Sequence, residues 1–179
     1  MRLPRLRQRG FTLLELVVVI SIISTIGIVA VNRFWQWSVV AERASMQTVV
    51  GAMRTALGLE TTRLALRQQL SLLPNLVGTN PMQLLAQAPA NYLGEVDNKH
   101  QPVEDGRWYY DNDTQLLVYR LKYTDGFSTS LEGAPRIRYR IQLVYTDNNG
   151  NQRFDRGIDD IGGIDLVPAE AYTWQPPPP

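Results

Sequence analysis

The chain has 179 residues, 18 basic and 17 acidic, for a net charge of +1, with a single histidine and no cysteine. That length suits one domain plus an appendage. The missing cysteines exclude disulfide staples and thiolate metal sites, and the charge balance argues against a nucleic-acid protein by bulk electrostatics. The charge is unevenly placed: Arg2, Arg5, Arg7 and Arg9 fall in the first ten positions, so residues 11–179 hold 14 basic against 17 acidic side chains.

Behind these arginines and Gly10 lies an apolar run, Phe11 to Val31, broken only by Thr12, Glu15, Ser21, Ser24, Thr25 and Gly27. A bilayer core of about 30 Å needs roughly 20 helical residues. The hydroxyls can bond back to the helix's own carbonyls. Glu15 is the anomaly, because an acid in a bilayer costs on the order of 2.5–3.5 kcal/mol at the centre and less near the interface. Such a residue calls for a named partner. A cut after Gly10 would expose the α-amino group of Phe11, one turn from Glu15, and a neighbouring subunit could present the same amine. The arginine bias, with Arg33 and Arg43 beyond the span, predicts a cytoplasmic N-terminus.

The segment Gly10-Phe11-Thr12-Leu13-Leu14-Glu15 resembles the class III leader junction of type IV pilins and type II secretion pseudopilins. The resemblance covers about 25 residues. It implies a pilin-like α+β fold, with a long N-terminal α-helix packed on an antiparallel β-sheet. By it, a prepilin peptidase cuts between Gly10 and Phe11 and N-methylates Phe11, and Glu15 pairs with a neighbour's terminal amine during assembly. Other pilin or pseudopilin subunits and an inner-membrane assembly platform are the implied partners. The chain departs from many members at Asn32, where they carry a helix-kinking proline. Two blander readings of the run are a simple membrane anchor and a cleaved secretory signal. The run is too long for the latter and has no Ala-x-Ala site.

No proline interrupts Arg5 to Leu73, and residues 33–69 are rich in good helix formers. Met46, Val50, Met53 and Leu57 form a stripe at helical spacing. Glu42, Arg43, Arg54, Glu60, Arg63 and Arg67 read as its polar surroundings, and Gly51 and Gly58 as points of close packing on a sheet. Phe34, Trp35 and Trp37 read as an interfacial aromatic belt. The expected division is a leader over 1–10, a transmembrane and assembly helix over 11–32, and its amphipathic half over 33–73. A connecting loop over 74–105 follows, with a helical turn at Pro81–Gln87, then a sheet head over 106–168 and a Pro-rich tail over 169–179.

Within the head, Arg107–Tyr110 reads as a strand and Asp111–Thr114 as a turn. Gln115–Tyr123 is a second strand. Arg136–Tyr145 alternates Ile137, Tyr139, Ile141, Leu143 and Tyr145 against polar residues, the mark of a half-buried antiparallel strand. Asn149-Gly150 signals a hairpin, with Asn151–Asp155 returning as a strand and Gly163–Val167 as an edge strand.

Three clusters bear on ligands. Asp147, Asn149, Asn151, Asp155 and Asp159 resemble the start of a calcium loop, since calcium takes about 6–8 oxygens. The glycine falls at the fourth position and Ile158 stands where a bidentate acid belongs, so a plain polar turn is favoured and calcium is the second reading. Arg136, Arg138 and Arg140, with Arg120 and Lys122 beside them, could meet DNA phosphates, but a solvated strand face is favoured. His100 has no partner constellation for catalysis, and no nucleotide or metal-hydrolase motif is present. The expected function is structural: a minor subunit of a type IV pilus or a type II secretion pseudopilus, and no enzyme. A membrane-tethered periplasmic binding module and a fibre-displayed adhesin or DNA receptor are the alternatives.

Overall fold

The computed structural model describes residues 11–97 and 103–175. Gly10, His100 and the terminal prolines lie outside these residues. One helix, α1, runs Leu13–Leu66. The chain divides into two units, the first ending at Ser38 and the second beginning at Val39.

In the first unit the apolar side chains of α1 are exposed all round, from Leu13 at 81% to Val19 at 38%. Nothing in the unit covers them, as expected of a helix made for an apolar surrounding. The hydroxyls take care of themselves. Ser21 Oγ donates to the Val17 carbonyl at 2.8 Å and Thr25 Oγ1 to that of Ser21 at 2.9 Å. The helix continues through the segment where many pilins carry proline, which follows from the amide of Asn32 being able to donate. Phe34, Trp35 and Trp37 are exposed at the end of this unit.

In the second unit, α1 buries one face. Val39, Met46, Val50, Met53, Leu57 and Leu64 recur at helical spacing and are at most 6% exposed. They form one core with Leu117, Tyr119, Ile137, Tyr139 and Ile141 of the sheet. Gly51 and Gly58 are not in this contact. Both face solvent, and a methyl group on either would meet nothing within 4 Å. The expected close packing is therefore incorrect; the larger Met and Leu side chains set the spacing.

The helix ends earlier than its next proline suggests. Gln69 N donates to the Leu64 carbonyl at 2.8 Å and Gln68 N to that of Ala65 at 3.0 Å, with Gln68 at φ 58°. This is a Schellman turn closed by a residue other than glycine. A 3₁₀ turn, Leu70–Leu76, then holds Pro74 and sends Leu73 into the core. A second, Pro81–Leu84, is capped by Asn80, whose side chain accepts from Met82 N at 3.0 Å. It is shorter than the expected Pro81–Gln87.

Seven strands follow: β1 Tyr92–Val96, β2 Trp108–Asp111, β3 Leu116–Arg120, β4 Phe127–Thr129, β5 Arg136–Thr146, β6 Asp160–Pro168 and β7 Tyr172–Trp174. The main sheet is ordered β1-β2-β3-β5-β6, and β4 pairs with β7 in a separate ribbon. All pairs are antiparallel except β1 with β2, which is parallel. Four boundaries are corrected. The segment 74–105 contains a strand, so it is not all loop. Residues 151–155 form no strand; the connection from β5 to β6 is irregular over 147–159, and Gly150 turns inside it rather than closing a two-residue hairpin. The late edge strand, β6, is longer than Gly163–Val167. Residues 172–174 belong to a ribbon that buries Trp174, so that stretch is not tail.

Two polar residues of α1 lock it to the sheet. Glu42 Oε1 accepts from the Tyr119 hydroxyl and from Lys122 N, and its Oε2 from Tyr123 N, each at 2.8 Å. Arg54 donates through Nε (3.1 Å) and Nη2 (2.9 Å) to the Leu166 carbonyl. Neither is mere polar surroundings.

Burial holds the Tyr119 and Tyr139 phenols well above their ordinary pKa, helped by hydrogen bonds to Glu42 and to Tyr172. An acid whose pKa rises on folding adds stability that is complete below its unfolded pKa, near 10, and is lost above it. The head should therefore lose about 1.4 kcal/mol per pH unit above 10 for each phenol. Thermal melts between pH 9 and 12 would check this. Tyr139→Phe should flatten the decline, and a melting temperature level across that range would contradict it.

Candidate functional site: the capped helix start and the acidic loop

The start of α1 is built by Thr12. Its Oγ1 accepts from Glu15 N at 3.2 Å, and its carbonyl accepts from Leu16 N at 3.1 Å. Thr12 is thus the N-cap and Glu15 the third helical residue, the spacing of a capping box. The sequence reading missed this, although Thr-x-x-Glu is its signature. The consequence is geometric. A chain beginning at Phe11 has one residue before its cap, so its terminal amine would sit beside the positive end of the helix. An acid in the first turn offsets that field. Phe11 and Glu15 are both exposed.

The acidic loop is closed by its own backbone. Asp147 Oδ1 accepts from Asn149 N at 3.2 Å and Gly150 N at 2.7 Å, and its Oδ2 from Gln152 N at 2.7 Å. These bonds, Gln152's first, hold its carboxyl below the usual range. Asn149 Oδ1 accepts from Asn151 N, and Asn151 Oδ1 from Arg153 N. Both amides then turn their nitrogens to Asp155 Oδ2, at 2.7 and 2.5 Å. Asp159 Oδ1 accepts from Asn148 N at 3.0 Å and its Oδ2 from Asp155 N at 2.7 Å.

As placed, the two asparagine amides of this loop are not turned as calcium ligands. The ion needs about 6–8 oxygens turned to one point, whereas Asn149 and Asn151 turn nitrogens inward and use their oxygens on the chain. Among the described residues no three acidic, histidine or cysteine side chains converge as metal ligands. The expected outcome is that about 5 mM calcium or a chelator leaves the melting temperature of the chain unchanged. A calcium-dependent rise of several degrees would show that the loop turns its oxygens inward.

The basic strand face is largely spoken for. Arg138 pairs with Glu170, Arg120 with Asp105 at 2.8 Å, and Arg136 Nη1 donates to the carbonyls of Glu132 and Ala134. Arg140 is exposed. A face whose cations already hold acids and carbonyls is poorly arranged for phosphates.

Residues 5–31 match the family model of the prokaryotic N-terminal methylation motif. Together with a long N-terminal helix and an antiparallel-rich sheet, that motif makes this a type IV pilin-like protein. It is a subunit of the pilin and pseudopilin type, structural and not an enzyme. Its leader implies processing by a prepilin peptidase and assembly with other pilin-type subunits, and it fits anchorage in the inner membrane. Comparisons with curated proteins and with solved structures give no match.

Proposed function

We propose that the chain is a minor subunit of a type IV pilus or of a type II secretion pseudopilus. Prepilin peptidase cuts between Gly10 and Phe11 and methylates the new amine. The helix waits in the inner membrane, N-terminus in the cytoplasm and head in the periplasm, until the assembly platform moves it into a fibre. There Glu15 meets the Phe11 amine of a neighbour. The observation that carries this reading is the uncovered apolar surface of residues 13–31 with one acid in its first turn. Such a surface needs a bilayer or like helices, and the acid needs a cation. The segment before β2, which includes β1, and the lack of cysteines support a minor rather than an abundant subunit.

The test is the intact mass and N-terminal sequence of the protein taken from its native membrane. A chain that starts at Phe11 with one added methyl group is expected. A chain that starts at Met1 would reduce the protein to an anchored head, and the roles given to Gly10, Phe11 and Glu15 would go with it.

A further inference from the structure

A cleft of about 460 Å³ lies in the head between α1 and residues 168–175, lined by Arg43, Met46 and Gln47 on one side and by Pro168 and residues 170–175 on the other. Its volume is within the range of roughly 300–1,000 Å³ typical of ligand sites. Three features of its wall are unused. Arg43 is half-buried and makes no hydrogen bond or ion pair among the described residues. Trp174 is 3% exposed and its Nε1–H is buried without an acceptor. Leaving such a donor unmet costs about 1–3 kcal/mol. The third feature is the outer edge of β7.

That edge follows from the pairing. Gln175 N donates to the Gly126 carbonyl at 3.0 Å, and the register places Thr173 opposite Ser128. In an antiparallel pair, bonded and non-bonded positions alternate. The peptide groups of Tyr172 and Trp174 therefore point away from β4. Among the described residues no strand lies beyond β7, and neither group makes a backbone hydrogen bond there. Open strand edges recruit other chains, and extended peptides use them by adding a strand.

We propose that this cleft docks an extended, acidic segment of a partner chain. The segment adds beside β7, places a carboxylate on the Arg43 guanidinium and offers an oxygen to Trp174 Nε1. Glu170 also lines the cleft, but Arg138 holds its carboxylate through both guanidinium arms, so it leaves Arg43 to the ligand. An acid is selected because Arg43 is the one cation of the lining and lacks a counter-charge. An extended backbone is selected because consecutive residues 170–175 form one wall. The inference goes beyond assembly through α1 and does not depend on it.

The full chain in detergent micelles serves for the test, with a short acetylated and amidated peptide of alternating valine and glutamate as the probe. The readout is the indole N–H resonance of Trp174, assigned by its loss in Trp174→Phe. The peptide should shift that resonance in a saturable way. Arg43→Gln should weaken binding about tenfold or more while melting like the parent, and replacing glutamate by glutamine in the peptide should do the same. Acetate at equal carboxylate concentration should have far less effect. An unmoved indole resonance, or equal binding by Arg43→Gln, would overturn the proposal. So would acetate matching the peptide, since the cleft would then be an anion pocket and no strand-addition site. None of these outcomes touches leader processing, which the N-terminal mass decides separately.

Discussion

Replacing Glu15 by valine should leave the chain in the membrane and keep it out of the fibre. The two effects separate because they depend on different properties of one side chain. Removing an acid from an apolar helix relieves up to about 2.5–3.5 kcal/mol of insertion cost on translocon scales, so Glu15→Val inserts at least as well as the parent. Incorporation is another matter. In lipid the apolar sides of residues 13–31 can slide past one another, since packing in hydrocarbon has no hydrophobic drive and little register. A single acid that must meet a single amine fixes that register.

The cap supplies a competing explanation, because Glu15 also sits at the third position after Thr12, where a carboxylate favours the helix start. Glu15→Gln distinguishes the two. Glutamine serves in a capping box but carries no charge. Loss of incorporation in both variants, with normal membrane levels and normal leader removal, is the expected result, measured by sheared-fibre immunoblot beside membrane fractionation. If Glu15→Gln enters the fibre like the parent, the acid is a helix cap and the intersubunit pair is wrong. A membrane-tethered head that never polymerises would be indifferent to both changes.

What could be read from the sequence was local and periodic. The stripe Met46, Val50, Met53 and Leu57 announced the face of α1 that is buried, and strict alternation over Arg136–Tyr145 announced β5. What was missed depends on distant partners. Glu42 looks like any surface acid until the fold brings Tyr119, Lys122 and Tyr123, some 77 to 81 positions away, onto its carboxylate. Strand β1 is five residues with a glycine in the middle, and its pairing with β2 is parallel, so no hairpin turn marks it. The helix end was misplaced because proline is a louder signal than Gln68 in a left-handed turn, and Pro74 is accommodated within a 3₁₀ turn. At the candidate site, the motif around Gly10, Phe11 and Glu15 could be read because it is contiguous sequence, and residues 5–31 match the N-terminal methylation motif. The acidic loop was legible only as composition. Whether its oxygens turn inward depends on which N–H groups claim them first, and spacing does not encode that.

The other large effect is expected at Gly126, in the ribbon that closes the cleft. Its φ is +70°, and a Cβ there would stand 1.8 Å from the Gln175 carbonyl oxygen. The left-handed conformation alone costs an alanine about 1–2 kcal/mol. The overlap cannot be relieved by a rotamer, because the opposing atom is backbone. The chain must move at 126 or at 175, which breaks the bond from Gln175 N to the Gly126 carbonyl and loosens Trp174 beside it. Trp174 packs edge-on against Phe127, with ring centroids 6.1 Å apart, so the loss reaches the core. Exposing a buried side chain of this size forfeits about 1.5–3 kcal/mol, which with the conformational cost makes about 3–5 kcal/mol. Gly126→Ala should therefore destabilise the head by about that much, lowering its melting temperature by roughly 10 °C. Gly150→Ala is the matched control: its φ is +74°, but nothing lies within 4 Å of the added methyl. It should show the conformational cost alone. If the two variants melt together, the contact with Gln175 is not what requires glycine at 126, and the β4–β7 ribbon contributes little to the head.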